Sequence, residues 1–93
     1  MDEPLRPPKA RKLIRKILKE GIVHYSKPHA IQRLQERDIS MVDCENVLRG
    51  GVVGEAELDK GSWRYPVRTA RFEIIVQLLS ENSLIIITAW RIQ

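Results

Sequence analysis

After the helix pair that ends at Gly50-Gly51 the spacing of apolar residues changes, and that change limits the folds open to this chain. Ahead of the glycine pair, apolar residues recur at helical spacing; after it they alternate with period two. The stretch from Pro28 to Gly51 reads as two short helices with a tight corner. Pro28 suits a first helical position, where its missing N–H costs nothing. On the helix that follows, Ala30, Ile31 and Leu34 form an arc that can bury. His29, Arg33 and Arg37, spaced i, i+4, i+8, form a polar stripe beside it. Asp38, Ile39 and Ser40 make the corner. Ser40 caps the second helix, with Asp43 three residues on in the capping-box position. Val42, Val47 and Leu48 supply that helix's apolar side, and the glycine pair ends it.

Upstream, Met1 to Pro8 carries three prolines and reads as a loose arm. Lys9 to Glu20 reads as a helix with Leu13, Ile14, Ile17 and Leu18 on one face and Arg11, Lys12, Arg15, Lys16 and Lys19 around the rest. That charge is either an ordinary solvated face or a phosphate- or partner-contacting surface. Ile22 to Tyr25 is a short edge strand containing His24. Downstream, Val52 to Leu58 is a weak strand closed by the turn Asp59-Lys60-Gly61. Ser62 to Arg68 places Trp63, Tyr65 and Val67 on one side and Arg64 and Arg68 on the other. Pro66 donates nothing to a ladder, which points to an edge or a bulge. Phe72 to Leu79 is apolar on both faces, as a covered central strand requires, and Leu84 to Trp90 is rich in β-branched residues. The expectation is one α+β domain over residues 1–93, with helices on one face of a twisted, mainly antiparallel sheet of three to five strands.

The net charge of +4 favours a polyanionic partner or an acidic protein. The single cysteine, Cys44, excludes an internal disulfide framework and suits a reducing, cytoplasmic setting. It reads as a helix residue near the core rather than a nucleophile. The longest apolar run, Leu84 to Ile87, is far below the roughly 20 residues of a membrane helix, and no signal-peptide pattern is present. One cysteine and two histidines are too few for a zinc cluster, and Gly50-Gly51 lacks the Lys-Ser/Thr of a nucleotide loop. Glu55, Glu57 and Asp59 alternate as an exposed strand face does. No metal or cofactor is therefore expected.

The remaining chemical inventory is cationic and aromatic: His29, Arg33, Arg37, Arg64, Tyr65, Arg68, Arg71, Trp90 and Arg91. It suits metal-free cleavage of RNA. A base frees the ribose 2′-OH to attack the adjacent phosphate, cations stabilise the phosphorane, and an acid protonates the leaving 5′-oxygen. Imidazole serves as base or acid near neutrality, and arginine forks fit phosphate oxygens. The competing structural reading is that His29 and Arg33 hydrogen-bond the end of the sheet or pair with Glu36 or Asp38.

The run H29-A-I-Q-R33-L-Q-E-R37-D-I-S40, with R-Y-P-V, R-F-E-I-I-V and L-I-I-I-T-A after it, resembles the DUF4258 family over roughly Lys27 to Arg91. These proteins are regarded as relatives of the RelE and MqsR toxins of toxin–antitoxin pairs. The resemblance implies a RelE-like fold, mRNA cleavage that blocks translation, with the mRNA free or on the ribosome, and a cognate antitoxin as partner. On that basis His29 is the expected proton-transfer group, Arg33, Arg37 and Arg68 hold the phosphate, and Tyr65 supports the base or the reaction. Lys12, Arg15, Lys16, Lys19, Arg64, Arg71 and Arg91 are the expected RNA contacts. The alternatives are a non-catalytic nucleic-acid- or protein-binding module of the same fold, and a homodimer paired through an exposed strand at Ser62 to Arg68 or Leu84 to Trp90.

Overall fold

The computed structural model describes residues 1–93 in the order α1 (Pro7–Glu20), β1 (Ile22–Tyr25), α2 (His29–Glu36), α3 (Met41–Gly50), β2 (Val52–Val53), β3 (Glu57–Asp59), β4 (Ser62–Arg68), β5 (Phe72–Ser80) and β6 (Ser83–Arg91). The class is α+β. The sheet is mixed and has six strands in the order β1-β6-β5-β4-β2, with β3 also on β4. The count exceeds the expected three to five because the weak strand at Val52 to Leu58 breaks into β2 and β3. The one parallel pair joins β1 to β6, Ile22 facing Ser83 and Tyr25 facing Ile86.

Local chemistry sets the element ends. α1 starts at Pro7, two residues earlier than its charge pattern suggested, because proline suits the first turn. It stops at Gly21, where a Cβ would lie 2.2 Å from the Asn82 carbonyl oxygen, so only glycine allows this approach to the β5–β6 turn. Asp38 turns the α2–α3 corner at φ 54°. The capping box is formed: the Asp43 N–H donates to Ser40 Oγ at 3.0 Å, and the Ser40 N–H donates to Asp43 Oδ2 at 2.9 Å.

One face of the sheet carries the core. Tyr65, Val67, Ile74, Val76, Leu78, Leu84, Ile86 and Ala89 pack there against Ala10, Ile14 and Ile17 of α1, Leu34 of α2, and Cys44, Val47 and Leu48 of α3. On α3, Cys44 takes the inward place expected of Val42, which is exposed, because i, i+3, i+4 from Cys44 gives the stripe that faces the sheet. The other face has no covering layer. Arg64, Pro66, Ile75, Gln77, Thr88 and Trp90 point that way and none is fully buried. The second apolar face of β5 is thus uncovered, contrary to expectation. On β6, Ile87 is left without a partner where the register shifts between Ile75–Thr88 and Val76–Ile86.

β4 is neither an edge nor bulged against β5: it has β5 on one side and β2 and β3 on the other. Pro66 is accommodated because β2 pairs with Val67 and Arg68 while β3 pairs with Ser62 to Arg64. Its missing N–H falls in the gap between those strands, where its carbonyl accepts the Gly54 N–H at 2.9 Å. β6 is likewise an inner strand, so neither segment expected to offer a free strand edge is an outer strand of the sheet.

Candidate nucleic-acid interface

α1 buries Ala10, Ile14 and Ile17 and turns every charged residue outward. Its cations are Lys9, Arg11, Lys12, Arg15, Lys16 and Lys19; its only acid, Glu20, is at the C-terminal end. The two ion pairs of the protein, Arg64–Asp59 at 3.9 Å and Arg68–Glu73 at 3.1 Å, involve none of the six cations. These side chains therefore face solvent with no carboxylate in ion-pair contact, spread over about 15 Å of helix at 1.5 Å per residue. Such a ridge has the one-sided positive charge that a polyanion-binding surface requires. Lys9, Lys12 and Lys16 share one open cleft with Asp2, Leu5, Leu13 and Glu81.

The α2 stripe divides. His29 and Arg33 lie one turn apart, exposed, with no hydrogen-bonded partner and no carboxylate in an ion pair. Arg37 is tied down. Its guanidinium donates to the Ala89 carbonyl of β6 at 2.6 Å. β1 ends its pairing at Ile86, so the β6 edge beyond has no strand neighbour, and α2 with Arg37 covers it. Arg91 answers from β6: its Nε–H donates to the Arg37 carbonyl at 3.1 Å and its other arm to the Asp38 carbonyl at 2.6 Å. Its guanidinium also lies 5.1 Å from the centre of the Phe72 ring. A cation on the last carbonyls of α2 is also favoured by the helix dipole.

Tyr65 and Arg68 stand on opposite faces of β4. Tyr65 is 0% exposed. Its hydroxyl accepts the Leu5 N–H at 2.9 Å and donates to Glu3 Oε2 at 2.9 Å. Burial raises the phenol's pKa; the Leu5 N–H works against that, and the Glu3 carboxylate adds to it. Arg68 projects from the uncovered face and pairs with Glu73, its register partner on β5. Arg64 lies on that same face, in a groove with Trp90, Ile75, Thr88 and Pro66. Arg71 is exposed in the β4–β5 turn. The three stripe residues are thus not gathered with Tyr65 and Arg68 in a common cleft. Lys12, Arg15, Lys16 and Lys19 do form one surface; Arg64, Arg71 and Arg91 lie apart from it.

Cys44 is buried, and burial with the nearby Asp43 and Glu45 charges pushes its thiol up to about 11. A thiol held protonated is a poor nucleophile. The Tyr25 hydroxyl is buried without a partner, and burial raises it to about 12, with Cys44 and Glu45 adding to the effect.

The family model described as Domain of unknown function (DUF4258) matches residues 25–91, from the end of β1 to the end of β6. The chain belongs to the DUF4258 family. No curated protein and no solved structure matches it. The α2 stripe, the Arg37–Arg91 contacts and Tyr65 all fall inside the DUF4258 segment, whereas α1 precedes it. Two contributors escaped sequence reasoning. Glu3 belongs to a segment read as a loose arm, and nothing local marks it as the partner of a tyrosine 62 positions away. Arg49 sits beside Arg15 and Lys19 in a second cleft; its place in the last turn before Gly50 was the available signal.

Proposed function

We propose that this chain acts on RNA as the toxin of a type II toxin–antitoxin pair, with a RelE-like fold, a cognate antitoxin and mRNA as its target. The observation that carries the RNA part is the α1 ridge: six exposed cations without a carboxylate partner. Backbone phosphates are bound by such a surface through counterion release. The toxin part rests on the resemblance of His29 to Ser40 and of the strands that follow. For metal-independent cleavage, His29 and Arg33 are the exposed pair: imidazole to move the 2′-OH proton and guanidinium to hold the phosphorane. Arg37 and Tyr65 leave the catalytic set, since their polar atoms are engaged with Ala89, Leu5 and Glu3.

A binding module that holds RNA without cutting it is the second reading. It is favoured by the absence of a second acid–base group bonded to His29. Expression in a bacterial host, wild type beside His29→Ala, separates the two. Growth arrest by the wild type, relieved in His29→Ala, with RNA fragments ending in 2′,3′-cyclic phosphate, supports the toxin. A harmless wild type at good soluble levels that retains RNA binding supports the module and excludes the toxin.

A further inference from the structure

We infer that the cleft between α1 and α3, lined by Arg15, Leu18 and Lys19 of α1 and Arg49 of α3, is a grip for consecutive phosphates of an RNA strand. The inference rests on the RNA reading above and adds to it a specific site and a residue from a second helix. The cleft has a volume of about 450 Å³, and three of its four lining residues are cations. None of the three is ion-paired. Glu45 stands one turn before Arg49, at the i, i+4 spacing that favours a pair, yet the Arg49 guanidinium bonds the neutral Asn46 Oδ1 at 3.2 Å instead. Three unneutralised charges converging from two helices repel one another, and an anion seated among them relieves that repulsion.

The chemistry selects an extended phosphate chain over a single small anion. Arg15 and Lys19 lie one turn apart and Arg11 is one turn before Arg15, so the row of cations continues beyond the cleft along the ridge at i, i+4, i+8. Arginine contributes a planar fork for two phosphate oxygens and lysine a point charge. Leu18, half-buried in the cleft lining, supplies an apolar contact for a sugar or base face. An acidic peptide shares the charge but not the regular spacing of phosphates along a strand.

The test is fluorescence anisotropy of a labelled 20-nucleotide oligouridine with the full chain between 50 and 200 mM salt. The variants are Arg49→Gln, Arg49→Lys and, as a distant exposed cation, Lys60→Gln. Loss of one phosphate contact is expected to reduce the slope of log K against log salt by about 0.7 in Arg49→Gln. Arg49→Lys should restore the slope and Lys60→Gln should leave it unchanged. A role for Arg49 confined to the end of α3 changes thermal stability but not the slope. A wild type that binds the RNA with a slope unaltered by Arg49→Gln overturns the cleft and leaves the RNA reading standing. A wild type that ignores the RNA but binds polyglutamate overturns both. Displacement of the RNA by tripolyphosphate at matched phosphate concentration assigns the cleft to free polyphosphate and overturns the RNA assignment.

Discussion

Arg37 and Arg91 fasten each other's element: Arg37 donates to the Ala89 carbonyl two residues before Arg91, and Arg91 donates back to the carbonyl of Arg37 itself. The pair fixes the C-terminal end of α2 against β6 where β1 has run out. Arg37→Met keeps most of the side chain's volume but strands an edge carbonyl. Hydrogen bonds to charged groups contribute about 1.5–3 kcal/mol each, and partial exposure here favours the lower end. The expected result is a lower denaturation midpoint with RNA affinity unchanged. A catalytic Arg37 would instead lower cleavage without moving the midpoint.

Tyr65 makes a second long-range tie. Tyr65→Phe removes both hydroxyl bonds and frees the segment around Glu3 and Leu5. A loss of about 1–2 kcal/mol is expected from two such bonds. Proteolysis in the first six residues should accelerate, while the core fold, read by circular dichroism, persists. Unaltered protection of that segment would contradict the tie.

Alkaline pH should destabilise the fold. Below pH 9 the Cys44 thiol and Tyr25 hydroxyl are protonated in both folded and unfolded chains. Between 9 and about 11 for Cys44, and between 10 and about 12 for Tyr25, the unfolded chain releases a proton that the folded chain retains. Stability therefore falls as pH rises through that window. Tyr25→Phe also deletes an orphaned buried hydroxyl, so it should stabilise the protein by about 1 kcal/mol at pH 7 and flatten the loss above pH 10. Thermal melts of both chains from pH 7 to 11 decide it; a parallel loss in both would count against the assignment.

The Ser40 cap is a local prediction. Ser40→Ala should cost about 1 kcal/mol, visible as a lower midpoint in urea, and Ser40→Asp should largely retain the wild-type value.

What the sequence made legible was what neighbours along the chain decide. Ser40 and Asp43 are three residues apart, so their capping box could be read directly. The alternation of Tyr65 with Val67, and of Ile74 with Val76, revealed the inner face. The site resisted because its ties are long-range. His29, Arg33 and Arg37 look alike on a helix, yet only Arg37 meets the bare β6 edge, 52 positions away. Pro66 suggested an edge because a proline cannot report that its neighbour strand will split around it. The cations of α1 were readable as a ridge, while the meeting of Arg49 with Arg15 and Lys19 depends on how α3 packs beside α1.

The central claim is that α1 holds RNA through charge. Its most direct test is the salt dependence of RNA binding by the wild type and by a chain with Lys12, Arg15, Lys16 and Lys19 replaced by Gln. Loss of four phosphate contacts should flatten the slope of log K against log salt by about 2.8, with the melting curve little changed. Equal slopes in two equally folded chains would contradict it.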